Sequence, residues 1–233
     1  MAMTAGFTHT GKVRNLNEDC FTVKDNFALV SDGMGGHNKG ERASLIVSSK
    51  LTERLEKLNK KDVSSIITAI SDTNKDVYID ALNEPDRNGM GATLVMAYWE
   101  DNSVIIANVG DSRCYKISNG TILQITKDHS LVQTLVDKGE MTKEQAKKSD
   151  KKHYIYRAMG TEEIIQPDIF QITVSEGDIL VLCSDGLTNM LEDTEILNIC
   201  EKEKSPQGIT EKLVNSANDK GGTDNITVVA VMF

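Results

Sequence analysis

Four short apolar runs in this chain each meet an aspartate. "FALVSDGMGG" runs into Asp32, "IIANVGDSR" into Asp111 and "ILVLCSDGL" into Asp185, while "GGTDNITVV" sets Asp224 just ahead of its run. Apolar stretches of this length, bounded by Gly, Ser and Asp, read as buried strands. Each carboxylate is therefore expected where a buried strand emerges, and a stack of sheets can gather all four at one end. A lone strand-end Asp followed by Gly is more often a turn former or a helix cap. Four such places, two sharing the Ser-Asp-Gly wording, favour a common site.

Carboxylates brought together repel one another unless cations neutralise them. With Asp oxygens and no converging His or Cys, the preferred cation is hard: Mg²⁺ or Mn²⁺, with Ca²⁺ as the other option. The glycines after Asp32 permit tight turns and close approach of carbonyls or substrate. Asp32 is thus expected to hold a metal and to bridge two. A binuclear carboxylate centre lowers the pKa of a bridging water toward neutrality and offsets charge on a phosphoryl group. Such a site needs a cation to grip phosphate, and the planar fork of Arg suits that task. Arg14 in "GKVRNLNEDC" is the candidate, although spacing alone leaves it a surface arginine. No EF-hand loop, Walker loop or G-x-G-x-x-G pattern is present.

The remaining sequence supplies the scaffold. Apolar residues recur at helical spacing from about Gly40 to Leu58, and again from Asp62, the expected N-cap, to about Leu82. Strands are expected around residues 6–10, 19–23 and 27–30. "GATLVMAYW", "SVIIANVG", "SRCYKISNGTILQIT", "DIFQITV", "DILVLC" and "NITVVAVMF" add further strands, with Asn119-Gly120 marking a hairpin. Helices are expected at about 193–200 and 205–218. The charged stretch 127–152 reads as short helices with few apolar anchors, an exposed flap. Strands with helices outside them give an α+β layered fold, read as one domain over residues 1–233.

A net charge of −9 argues against a nucleic-acid face. There is no apolar run long enough to span a membrane and no leader sequence, so a cytoplasmic location is expected. Cys20, Cys114, Cys183 and Cys200 lack any CxxC spacing and read as reduced, mostly buried thiols.

The segments "RNLNED", "DGMGGHNKGERAS", "GMGAT", "ANVGDSR", "TKDHSLVQTLVDKG", "LCSDGL" and "GGTDNITVV" follow the order found in metal-dependent type 2C serine/threonine protein phosphatases. The chain resembles the bacterial branch of that family over roughly Thr8 to Val231. The resemblance implies a four-layer α-β-β-α sandwich, two antiparallel sheets flanked by helix pairs, with a flap at about 127–160. It implies two or three Mn²⁺ or Mg²⁺ ions. Asp32 would bridge two metals with the Gly33 carbonyl on one, Asp185 and Asp224 would complete the other, and Asp111 with Asp185 would offer a third site. Glu18 and Asp19 would hold waters on the metals, Asn225 would support Asp224, and Arg14 would clamp the substrate phosphate. The implied reaction is hydrolysis of phosphoserine or phosphothreonine in proteins by metal-activated water, reversing a cognate bacterial Ser/Thr kinase, in a monomer.

The chain departs from the family pattern twice. Met34 stands where many eukaryotic relatives carry a histidine proposed as general acid, and nearby His37 is given little catalytic weight. In the flap, "KKSDKKHYIYRAMG" replaces a His-Pro pair and its following Asn, with Ser149, Asp150 and His153 in their place. Two other readings stay open: a non-catalytic binding module with a degraded site, and a phosphatase dedicated to one partner protein.

Overall fold

A computed structural model describes residues 2–35, 39–58, 61–83 and 89–233. His37 lies outside them. Eleven strands among these residues form two antiparallel sheets. The first contains β1 (Met3–His9), β7 (Arg113–Ser118), β8 (Thr121–Gln124), β10 (Ile179–Cys183) and β11 (Ile226–Met232), in the order β1-β11-β10-β7-β8. The second contains β2 (Asp19–Val23), β3 (Phe27–Met34), β5 (Leu94–Glu100), β6 (Ser103–Val109) and β9 (Asp168–Thr173) in the order β2-β3-β5-β6-β9, and the two-residue β4 (Gly91–Ala92) pairs with β3.

The side-chain alternation of a strand explains why these runs are apolar throughout rather than at every second residue. In β3, Ala28 and Val30 pack between the sheets while Phe27 and Leu29 face helices on the outside. In β10, Leu180 and Leu182 point inward and Ile179, Val181 and Cys183 outward. Both faces are covered, so four layers result.

The outer layers follow from helical spacing. On α1 (Lys39–Lys57), Ala43, Val47, Leu51 and Leu55 repeat every fourth residue and are buried. They pack with Ile66, Ile70 and Val77 of α2 (Val63–Asn83) over the second sheet. Asp62 caps α2, accepting from the Ser65 N–H at 2.9 Å. Over the first sheet lie α6 (Asp193–Lys202) and α7 (Pro206–Asp219); Ser205 caps α7 and Pro206 opens it. The Asn119-Gly120 hairpin joins β7 to β8, with φ of 50° and 73° at its two central residues.

Between β8 and β9 the chain leaves the sandwich. α3 (Leu131–Asp137) buries only Val132 and α4 (Lys143–Lys148) buries nothing, so few apolar side chains anchor this segment. The flap returns through Gly160, whose N–H donates to the buried Asn74 side chain of α2 at 2.7 Å; the Asn74 amide donates in turn to the Glu162 and Glu163 carbonyls. All four cysteines are free, with Cys114, Cys183 and Cys200 buried. Among the described residues no helix is long and apolar enough to cross a membrane.

Candidate metal centre

The strand ends gather the acidic residues, though not all in the way expected. Asp32 does not end β3. The strand runs two residues further because Gly33 and Met34 pair with Ala92 and Gly91 of β4. The Asp32 N–H donates to Thr93 Oγ1 at 2.9 Å and its carbonyl accepts from the Thr93 N–H at 2.8 Å. Directly opposite on β2 stands Asp19. Like charges facing across a ladder destabilise it, so the pair signals a compensating cation or proton. Asp111 follows β6, after Gly110, whose φ of 105° suits glycine and whose N–H donates to His129 Nδ1 at 3.0 Å. Asp185 opens the short helix α5 (Asp185–Thr188) directly after β10, and Asp224 precedes β11.

Local donors hold these side chains. Arg14 donates to Asp224 Oδ2 at 2.9 Å, Ser184 Oγ to Asp19 Oδ2 at 2.7 Å, and Asn189 Nδ2 to Asp185 Oδ2 at 2.9 Å. The backbone N–H of Asn225 donates to Asp224 Oδ1 at 2.8 Å. The Asn225 side chain instead binds the loop carrying Arg14, donating to the Thr10 and Leu16 carbonyls and accepting from the Glu18 N–H. The Glu18 carboxylate accepts from the backbone at Glu41 and Gly40, where α1 begins. A Cβ at Gly33 would overlap the Gly40 carbonyl, so Gly33 is needed first for this crossing of β3 and α1. Among the described residues no three acidic side chains form a ready-made ligand shell. Asp19, Asp185 and Asp224 each turn an oxygen to a different neighbour.

Electrostatics nonetheless ties them together. Burial raises the Asp32 carboxyl well above the usual range, and the charges of Asp19, Asp185, Asp111 and Asp224 raise it further. Burial, then Asp185, does the same to Asp111. Asp19 is pushed up to about 7, by burial first and then by Asp185 and Asp224, against the hydrogen bonds from Thr227 and Ser184. Its Oδ1 is buried and has no hydrogen-bond partner. Carboxylate oxygens, one of them the orphaned and buried Asp19 Oδ1, are the donor chemistry that hard divalent cations take, and Arg14 stands beside them as a cation.

A pH dependence follows. A carboxyl whose folded pKa lies above its unfolded value contributes stability below the unfolded value, and that contribution is lost as pH rises through the folded one. For Asp19 the window runs from the unfolded range near 4 to about 7. EDTA-treated protein is expected to melt at least about 5 °C lower at pH 8 than at pH 5.5, and Asp19→Asn to reduce that difference. Equal melting temperatures at the two pH values would contradict the repulsive cluster.

Three contributors are not among the expected site residues, although Thr93 and Ser184 lie within the segments "GMGAT" and "LCSDGL". Thr93 fixes the Asp32 backbone, Ser184 holds Asp19, and Asn189 holds Asp185. Asn189 also has a local signal, since it stands four residues after Asp185, one helical turn along. Met34 ends β3 with a side chain that cannot donate a proton, and His153 of the flap comes within 3.9 Å of Asp185 Oδ2.

Comparison with known proteins shows the family. The family model described as Protein phosphatase 2C matches residues 12–225. The chain is 40% identical to the serine/threonine phosphatase stp of Listeria welshimeri, over 96% of this chain and 93% of that one. The crystal structure of the Mycobacterium tuberculosis serine/threonine phosphatase PstP/Ppp superposes with a TM-score of 0.93 at 33% identity, covering 100% of this chain and 98% of that one. The catalytic domain of PstP in complex with 2 manganese ions gives a TM-score of 0.90 at 33% identity, over 99% and 97% of the two chains. The chain belongs to the metal-dependent protein phosphatase 2C family and is a protein serine/threonine phosphatase.

Proposed function

We propose that residues 1–233 act as one catalytic unit that uses two or three Mn²⁺ or Mg²⁺ ions to hydrolyse phosphoserine and phosphothreonine in proteins. The observation that carries this reading is the electrostatic convergence of Asp32, Asp111, Asp185 and Asp224, drawn from both sheets, with Arg14 at their edge. Asp32, the Gly33 carbonyl, Asp185 and Asp224 hold the two principal ions; Asp111 and Asp185 hold a third. Bound there, divalent ions lower the pKa of water toward neutrality and offset the charge of the phosphoryl oxygens.

The chain's own residues position the reactants. Glu18 and Asp19 order water around the centre, with Ser184 fixing one Asp19 oxygen and leaving the other for a donor. Arg14, half-exposed on a loop held by Asn225, exchanges its Asp224 partner for substrate phosphate, which its planar fork meets with two parallel hydrogen bonds. Phosphoproteins are the substrates, a Ser/Thr kinase supplies them, and the enzyme works as a cytoplasmic monomer.

The test is hydrolysis of a phosphothreonine peptide with EDTA and after Mn²⁺ or Mg²⁺ is restored; full activity in EDTA overturns the proposal. Arg14→Ala should raise KM about tenfold and change kcat by less than about threefold, because the contact serves bound substrate and transition state alike. A loss confined to kcat contradicts the clamp.

A further inference from the structure

The flap reaches the candidate metal centre through a side chain that can only donate. Lys152, in the loop after α4, donates from Nζ to Asn189 Oδ1 at 2.9 Å. An ammonium has three donors and no acceptor, so the amide oxygen of Asn189 must face it. The amide NH₂ is thereby turned the other way, where it donates to Asp185 Oδ2 at 2.9 Å. Asn189 is itself anchored, its backbone N–H donating to the Asp185 carbonyl at 2.7 Å at the end of α5. The chain Lys152–Asn189–Asp185 thus has one direction throughout, fixed at one end by a group that only donates and at the other by one that only accepts.

We propose that Lys152 is a positioning residue: through Asn189 it fixes the orientation of the Asp185 carboxylate, and so couples the place of the flap to the cation affinity of the centre. This rests on Asp185 being a metal ligand. A side chain that orients a ligand tunes the affinity of the site although it touches no metal. Coupling of this kind is reciprocal, so an ion held by Asp185 favours the docked flap. Two neighbours bear on the same stretch: Lys147 pairs with Glu192, and His153 lies near Asp185. Among the described residues neither bonds the Asn189 amide; Lys152 and the acceptor-only Asp185 carboxylate hold it from its two ends, and both require the same orientation. The place of the flap and metal binding in the core then become one linked equilibrium.

The test uses the full chain and two readouts besides activity: the Mn²⁺ dissociation constant by calorimetry, and chymotryptic cleavage at Tyr154, which is 65% exposed and two residues from Lys152. Lys152→Met keeps the length of the side chain and removes its donors. It is expected to weaken Mn²⁺ binding about tenfold and to abolish the slowing of Tyr154 cleavage by Mn²⁺. Lys152→Arg, which still donates, should keep both properties, and Lys151→Met, exposed and outside the relay, should match the parent. Lys152→Met binding Mn²⁺ within about twofold of the parent, while Asp185→Asn loses it, overturns the relay alone. Parental Mn²⁺ binding by Asp185→Asn removes the metal assignment of Asp185 and the inference with it.

Discussion

Asp32→Asn is expected to lower phosphothreonine-peptide turnover by at least about 10³-fold while raising the melting temperature of the metal-free protein. The two effects share one cause. Asp32 faces Asp19 across the ladder and feels the charges of Asp185, Asp111 and Asp224. Its negative charge therefore costs stability until cations offset it, and the same charge is what holds those cations. Asparagine is nearly isosteric, and both backbone bonds to Thr93 survive the change, so the strand stays in place. The amide brings no charge to a hard cation and presents an NH₂ where a second oxygen is needed. Melting with and without Mn²⁺ separates the terms: Mn²⁺ should stabilise the parent and leave the variant nearly unchanged. A variant that keeps a tenth of the parental turnover, or melts below the parent in EDTA, breaks the link between clustered charge and catalysis.

Much of this arrangement was legible in the sequence because it is encoded locally. Apolar runs of five to eight residues marked the buried strands, the fourfold spacing of Ala43, Val47, Leu51 and Leu55 marked α1, and Asn119-Gly120 marked a hairpin. The four aspartates were legible as a group because each lies beside a buried apolar run, although Asp32 proved to sit inside its strand. What escaped notice is long-range. Nothing near Asp32 announces that β3 continues past it, since the partner that extends the strand, Gly91-Ala92, lies nearly sixty residues away. Thr93 and Ser184 are common residues whose role appears only when Asp32 and Asp19 arrive beside them. Asn225 was expected to support Asp224; its N–H contacts that residue, while its side chain ties down the Arg14 loop some two hundred residues earlier. The glycines illustrate the same limit. Turns and close approach of carbonyls or substrate were expected after Asp32, but that Gly33 meets the Gly40 carbonyl and Gly186 that of Asn225 is a fact only tertiary structure contains.

Gly186 carries the second large prediction. By helix propensity alone, Gly186→Ala in α5 should stabilise by up to about 1 kcal/mol. Sterics oppose this, because a Cβ at that position overlaps the backbone carbonyl oxygen of Asn225. Neither side can yield cheaply. Asn225 is held by its bonds to Thr10, Leu16 and Glu18, and Ser184, two residues before Gly186, is bonded to Thr227 in both directions. Overpacking of this kind costs about 1–3 kcal/mol, and a backbone-to-backbone overlap belongs at the upper end; the net loss of about 2 kcal/mol lowers Tm by roughly 4–8 °C, at about 2–4 °C per kcal/mol for a chain of this length. The displacement separates Asp185 from Asp224, the residues on either side of the overlap, so Mn²⁺-induced stabilisation should fall with Tm. Gly208→Ala in α7 is the matched comparison: there a Cβ meets the side chains of Glu203 and Ser205, which can move aside, and Tm should hold or rise. Parental Tm and Mn²⁺ response in Gly186→Ala would show that α5 and the start of β11 are not packed backbone to backbone, and that Asp185 and Asp224 owe their proximity to something other than this glycine.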